Sequence, residues 1–283
     1  MKRHILIPTD FSDNAWNALN YAVHLYKDEA CSFYIMNAFQ VFDFPSEILL
    51  PMNPVEERFR IAREHSERNL QKILDGLEVR SDNPHHEFHT ISIYNRLLAA
   101  VREVLAEKQI DLIVMGTRGE GGHTIKEFGS NAVEVMENIR QCPILAIPKK
   151  ASVYLKGGKK EIVFSTNFRT PYSREDLAFL LRAAELYKAE IRVLHIQEGG
   201  GLTEEQQRNR ELLEENLKEV RHGFHILTHV KVAPGIHSFV ESRGSDLLAM
   251  IYKKPGFFGS IFSAPMVEKM NERQGVPLLV LPL

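Results

Sequence analysis

Residues 115–132 read MGTRGEGGHTIKEFGSNA, and this stretch decides how the chain around it folds. An aliphatic run, DLIV at residues 111–114, precedes it and predicts a buried strand. Gly116 and Gly119 predict a turn with positive φ angles, where another molecule can approach the main chain closely. The pair GS at 129–130 predicts the start of a helix, whose unpaired N–H groups attract anions. The stretch therefore predicts a strand, a loop that can cradle an anion, and a helix.

The length and composition limit the class of protein. The chain has 283 residues, which is long for one hydrophobic core and sufficient for two domains. Its formal net charge of −2 does not indicate a nucleic acid or an anionic membrane as partner. With Cys31 and Cys142 as its two cysteines, a reducing compartment is expected and a disulfide framework is not. No apolar run is long enough for a signal-peptide core or a transmembrane helix, so we expect a cytoplasmic protein.

One pattern occurs twice along the chain. Residues 2–27 (KRHILIPTDFSDNAWNALNYAVHLYK) parallel residues 159–188 (KKEIVFSTNFRTPYSREDLAFLLRAAELYK). Later in each copy, residues 109–148 parallel residues 244–282, and both segments end in a short apolar run between prolines. A repeat of this length predicts two copies of one domain fold rather than a solenoid. We place the domains at residues 1–150 and 151–283.

Each copy predicts a doubly wound α/β domain. Short runs rich in Ile, Val and Leu alternate with helical segments, which is typical of a parallel sheet covered on both faces. The ligand of such a domain is expected at the carboxyl ends of the strands, where the strand order reverses. In the first copy, strands are predicted at residues 5–7, 33–38, 88–93, 112–115 and 144–147, and helices at 14–26, 55–76, 95–107 and 132–138.

Two loops occupy that position in the first copy. The segment PTDFS at residues 8–12 ends the first strand, and residues 116–130 follow the fourth. The Asp10 carboxylate either caps the next helix or serves a ligand, by accepting hydrogen bonds from ribose hydroxyls or by helping to hold a metal, and these interpretations stay open. The glycines of the second loop either form turns only or let phosphates approach the helix start at Ser130.

These residues closely resemble a known family. ILIPTDFS at residues 5–12, DLIVMGTRG at 111–119 and GSNA at 129–132 resemble the universal stress protein family, and the whole chain is similar to a tandem member. The resemblance implies five-stranded parallel sheets with strand order 3-2-1-4-5. It also implies an adenine nucleotide as ligand: ATP, with ADP and AMP as open alternatives. Glu120 and Glu127 in the phosphate loop would oppose a triphosphate unless Lys126, Arg118 or a divalent ion such as Mg²⁺ offsets their charge.

The resemblance also implies which residues form the site. Pro8, Thr9 and Asp10 would lie near adenine and ribose, and the main chain of Ala38, just past the second strand, would contact the adenine edge. Residues at the end of the fourth strand would lie near the ribose, and the glycine motif would contact the phosphates. The complete implied set is Pro8, Thr9, Asp10, Ala38, Met115, Gly116, Arg118, Gly119, Gly129, Ser130 and Asn131.

The second copy departs from this pattern. Asn167 stands where the first copy has Asp10, Ile251 aligns with Gly116, and Ser263-Ala264 replaces the Gly-Ser pair. A β-branched residue in place of glycine prevents close approach to the main chain, so we expect one nucleotide site, in the first copy.

The two copies are expected to form an intramolecular pseudo-dimer. Its predicted contact is antiparallel pairing of residues 144–147 with 278–281, which would cover two otherwise exposed sheet edges. A further homodimer stays open.

The sequence leaves three functions open. The first is a nucleotide-binding sensor or adaptor in the stress response. The second is an interaction protein that uses the apolar loop 255–262, and the third is a slow ATP hydrolase. No catalytic or metal-binding residues are predicted, because no nucleophile–base motif or zinc spacing is present.

Overall fold

The computed structural model describes residues 2–41, 54–78, 83–117, 129–151, 159–197, 199–251 and 275–282. Strands and helices alternate in both halves of the chain, as the sequence predicts. The first half contains β1 (Arg3–Pro8), α1 (Asp13–Leu25), β2 (Cys31–Phe39), α2 (Pro54–Glu78), β3 (His86–Tyr94), α3 (Leu97–Glu107), β4 (Leu112–Gly116), α4 (Ser130–Asn138) and β5 (Ile144–Ile147). The second half contains β6 (Lys160–Ser165), α5 (Arg174–Tyr187), β7 (Ala189–Gln197), α6 (Glu204–Asn216), β8 (His222–Thr228), α7 (Val232–Arg243), β9 (Leu247–Ile251) and β10 (Leu278–Leu281).

The ten strands in the described part of the chain form one continuous sheet. Its order is β3-β2-β1-β4-β5-β10-β9-β6-β7-β8, so each half has the order 3-2-1-4-5. Neighbouring strands are parallel within each half, while β5 and β10 are antiparallel, with Leu279 opposite Leu145. The predicted pseudo-dimer contact is therefore confirmed in its strands and in its direction.

The two halves match residue by residue at the first strand. The N–H of His4 donates to Asp111 Oδ2 at 2.8 Å, and the N–H of Glu161 donates to Asp246 Oδ2 at the same distance. Leu112 lies opposite Ile5 just as Leu247 lies opposite Ile162. Counting four residues along each of these strands makes Gly116 the counterpart of Ile251, as the sequence alignment predicts.

The helices cover both faces of the sheet. One buried cluster lies under α1, α2, α5 and α6, and a second lies under α3, α4 and α7. Both clusters contain residues from the two halves, so the core is continuous across the β5–β10 pair. Polar contacts join the halves as well: Arg182 pairs with Glu29, and the Asn17 side chain donates to the carbonyl of Ala151 at 3.0 Å.

The predicted boundary between residues 150 and 151 falls between β5 and β6 and stays a prediction. None of the helices in the described part of the chain is both long and apolar enough to span a bilayer.

Candidate functional site

The loop after β1 is a tight turn built by Thr9 and Phe11. Thr9 is buried, and its Oγ1 accepts the N–H of Phe11 at 3.0 Å, while Phe11 has a φ of 68°. The second half repeats this arrangement: Thr166 Oγ1 accepts the N–H of Phe168 at 3.1 Å, and Phe168 has a φ of 56°. Since both halves share the turn, the Thr9 hydroxyl has a structural role, and the turn alone does not mark a ligand site.

Asp10 is the residue in which the two turns differ, because the second half has Asn167. The Oδ1 atom of Asp10 accepts hydrogen bonds from the N–H and the hydroxyl of Ser12, at 3.2 and 2.6 Å. Ser12 in turn caps α1 by accepting the N–H of Ala15 at 3.2 Å. Ser12 is therefore the N-cap of α1, and its own two hydrogen bonds to Asp10 hold the Asp10 carboxylate at the end of β1.

The main chain of Ala38 is directed toward the end of β1. Ala38 lies inside β2, next to its last residue, because β2 continues one residue beyond the predicted range of 33–38. The carbonyl of Met36 accepts the N–H of Thr9 at 2.8 Å, so the main-chain groups of Met36 face β1. Alternate residues of a strand direct these groups to the same neighbour, so those of Ala38 also face the β1 side. The last residue of β1 is Pro8, which lies opposite Met36. The main-chain N–H and C=O of Ala38 therefore lie past the last paired residues of β1 and β2.

One residue that sequence reasoning missed is Asn37. Its Nδ2 donates to the carbonyl of Thr9 at 2.7 Å, inside the protein. In the second half the Nδ1 of buried His195 donates to the carbonyl of Thr166 at 3.0 Å. A carbonyl only accepts, so the hydrogen of His195 is on Nδ1. The two residues hold equivalent positions in the repeat, because each directly follows the strand residue whose carbonyl accepts the N–H of the buried threonine.

Gly116 packs closely against the start of α1. It lies in β4, and it is not among the described glycines with a positive φ. A Cβ atom on Gly116 would lie 2.9 Å from Asn14 Nδ2 and 3.1 Å from the carbonyl carbon of Asn14. The expectation of a positive φ at Gly116 is therefore wrong. The missing side chain of Gly116 instead lets the first turn of α1 pack against the end of β4. Met115, the preceding residue, is buried on the α3 and α4 side of the sheet.

The first turn of α4 lies directly beside the end of β4. The N–H of Gly129 donates to the carbonyl of Thr117 at 2.7 Å, which brings together the two ends of the glycine-rich loop. Gly129 is the N-cap residue, and it provides no side-chain hydrogen bond to the helix. Ser130 and Asn131 follow and are exposed. The first N–H groups of a helix lack intrahelical acceptors, so this helix start can accept an anion.

Two predicted phosphate contacts, Arg118 and Gly119, lie outside the described residues. The remaining predicted residues come from four separate segments of the chain. Three of these segments follow or end β2, β1 and β4, which are adjacent parallel strands, so they lie together at the carboxyl ends of these strands. The hydrogen bond between Thr117 and Gly129 brings the fourth segment, the start of α4, to the same place.

The cysteines are not part of this site. Cys31 and Cys142 are both buried free thiols, and burial raises the pKa of each to about 12. Neither is a thiolate at neutral pH, so neither provides a nucleophile.

Comparison with known proteins identifies the family. The model of the universal stress protein family matches residues 1–148, which is more than half of the chain. The chain belongs to the universal stress protein family.

Individual relatives agree with this assignment. A universal stress protein from Methanocaldococcus jannaschii is 27% identical over 147 residues, which cover 52% of this chain and 82% of the relative. A universal stress protein structure from Archaeoglobus fulgidus matches 99% of this chain and 96% of its own, with a TM-score of 0.66 and 15% identity. A protein of unknown function from Pseudomonas aeruginosa matches 99% of this chain and 92% of its own, with a TM-score of 0.60 and 13% identity. At these identities, the two structures show a shared fold.

The two halves differ in how the loop after their first strand packs against the neighbouring helices. In the second half, amide side chains of α6 bind the loop after β6: Gln206 Nε2 donates to the carbonyl of Asn167, and Asn209 Nδ2 donates to that of Phe168, both at 2.8 Å. In the first half, a cavity of about 250 Å³ lies between α1 and α2 beside the corresponding loop. The apolar loop 255–262 lies outside the described residues, so its suggested role as a docking surface stays a prediction.

Proposed function

We propose that this universal stress protein binds one adenine nucleotide, with ATP as the first candidate, in its first half and acts as a cytoplasmic sensor or adaptor. The observation that carries the proposal is the start of α4, which has no side-chain cap and is held against the end of β4 by the Thr117–Gly129 bond. Such a helix start favours phosphate groups, both through its N–H groups and through the helix dipole.

The other site residues suit the remaining parts of a nucleotide. The main-chain N–H and C=O of Ala38 offer one donor and one acceptor, which match the edge of an adenine ring. The Asp10 carboxylate, held by Ser12, can accept hydrogen bonds from ribose hydroxyls. Mg²⁺ bound with ATP would reduce the negative charge near the helix start. The described residues support binding more than catalysis, and ADP and AMP remain alternative ligands.

The test places a negative charge where the phosphates are expected. Ser130→Asp should lower the affinity for MgATP by about tenfold or more, because a carboxylate at the helix start repels phosphate. The same change should leave the free energy of unfolding equal or slightly higher, because an acidic residue favours a helix N-terminus. Titration calorimetry and urea unfolding measure the two effects.

The control is Lys231→Asp, at the start of α7. Lys231 is the N-cap residue of α7 and, like Gly129 in α4, makes no side-chain hydrogen bond to its helix, so the substitution places a carboxylate at a helix start in the second half. MgATP affinity should be unchanged in this variant. Equal affinities in the wild type and the Ser130→Asp variant would reject α4 as the phosphate site.

A further inference from the structure

A cationic groove lies at the amino ends of the strands in the second half, whereas the nucleotide site is at the carboxyl ends in the first. It is formed by the starts of β6 and β7, the end of α5 and the residues before β8. Its volume is about 290 Å³. Four basic side chains line it: Lys159, Lys160, Lys188 and Arg221.

The two carboxylates that line the groove are engaged by arginines. Glu185 pairs with Arg182 at 2.5 Å, and Glu190 pairs with Arg192 at 2.5 Å and with Arg221 at 3.6 Å. In contrast, the three lysines of the groove form no salt bridge with the described residues. The C-terminal end of α5 contributes a partial negative charge of about one half, which does not balance three lysines.

In the first half, the basic residues at the corresponding positions form salt bridges. Lys2 and Arg3 are the counterparts of Lys159 and Lys160, because the hydrogen bonds to Asp111 and Asp246 align the two strands. Lys2 pairs with Glu87, and Arg3 approaches Asp111 at 3.9 Å. The missing salt bridges at Lys159 and Lys160 are therefore a difference between the two halves and not a general requirement of the fold.

The charges around Lys160 include further lysines. Burial lowers the pKa of Lys160, the charge of Asp246 offsets part of this effect, and the smaller effects of Lys188 and Lys27 lower the pKa further. Positive charges that repel one another around a concave site gain most from a bound anion.

We propose that this groove binds a small anion that carries more than one phosphate charge, at a site separate from the nucleotide site. Its volume suits a small phosphorylated molecule more than a macromolecular surface. Lys159 and Lys188 are exposed at its rim, where their ammonium groups can turn toward phosphate oxygens.

The experiment uses inorganic pyrophosphate and the full chain carrying Ser130→Asp, so that α4 does not contribute to binding. Calorimetry at low ionic strength should show saturable binding that weakens when the salt is raised from about 0.05 M to about 0.5 M. Adding Lys159→Gln and Lys188→Gln should weaken the binding by about tenfold or more, because two charge-assisted contacts are lost. Both lysines are exposed, so the fold should be retained, and circular dichroism checks this.

The matched control is Lys2→Gln, which changes the counterpart of Lys159 in the first half. It should leave pyrophosphate binding unchanged. Absence of saturable binding, or equal affinity with and without the two lysine substitutions, would overturn the proposal. Neither result would affect the nucleotide site, which is tested separately by MgATP titration of the chain with Ser130 intact.

Discussion

The hydroxyl groups of Tyr21 and Tyr187 lie 2.7 Å apart in the core, where α1 of one half packs against α5 of the other. Both side chains are fully buried, and burial raises the pKa of both hydroxyls, so both are protonated at neutral pH and one donates to the other. This bond makes the contact between the halves dependent on a matched pair of polar groups.

Replacing one tyrosine should cost more than replacing both. Tyr187→Phe leaves the Tyr21 hydroxyl buried without its partner, which should lower the free energy of unfolding by about 1–3 kcal/mol. The double variant Tyr21→Phe with Tyr187→Phe should recover part of that loss, because no polar group is then left unsatisfied. Urea unfolding of the three proteins provides the measurement. Additive losses would show that the two hydroxyls are not coupled.

Gly116→Ala should destabilise the protein because of packing. The added methyl group would lie 3.1 Å from the main chain of Asn14, so α1 or β4 must shift, at a cost of about 1–3 kcal/mol. Gly199→Ala is the control: it has nothing within 4 Å of the added Cβ and is not among the glycines with positive φ. Thermal and urea unfolding should separate the two variants, and equal stability would contradict the close packing.

One nucleotide should bind per chain. Ile251 occupies the position of Gly116, and Asn167 that of Asp10, so the second half lacks two features of the proposed site. Native mass spectrometry of the protein with excess MgATP should show a single bound nucleotide. Two equivalent sites in calorimetry would contradict this asymmetry.

The stability should depend on pH through Glu161. Burial alone would raise the pKa of Glu161, but hydrogen bonds from Arg243, Arg192 and Ser245 outweigh burial and lower it. The carboxylate therefore contributes stability above its unfolded pKa of roughly 4.3 and loses it as the pH falls through the lower, folded value.

Glu161→Gln should accordingly cost about 1–3 kcal/mol at pH 7 and less below roughly pH 4. Glu219→Gln, which removes an exposed partner of Arg174, is the control and should cost less. Denaturant unfolding at the two pH values measures both, and a cost that does not change with pH would contradict the assigned role of the charge.

Local patterns were sufficient to predict much of this protein. Short aliphatic runs alternate with helical segments, so the order of strands and helices and the repeat could be predicted from neighbouring residues alone. The match of Gly116 with Ile251 followed from the repeat, whereas the edge pairing of β5 with β10 followed from the strand order that the family resemblance implies, together with the apolar composition of the two strands. The start of α4 was also predicted at Gly129 and Ser130, because Gly-Ser before a helical pattern is a local signal.

Contacts between distant segments decided the rest. Gly116 was expected to adopt a positive φ, but its role depends on Asn14, about a hundred residues earlier, and no local pattern records that contact. The direction of the Ala38 main chain depends on where β1 ends beside β2. The sequence by itself determined the elements, their order and the asymmetry of the two copies, because hydrophobic period and turn chemistry are local. Only the tertiary structure decided which polar groups meet and which lysines stay unpaired, because these depend on through-space distances that the packing of the two halves sets.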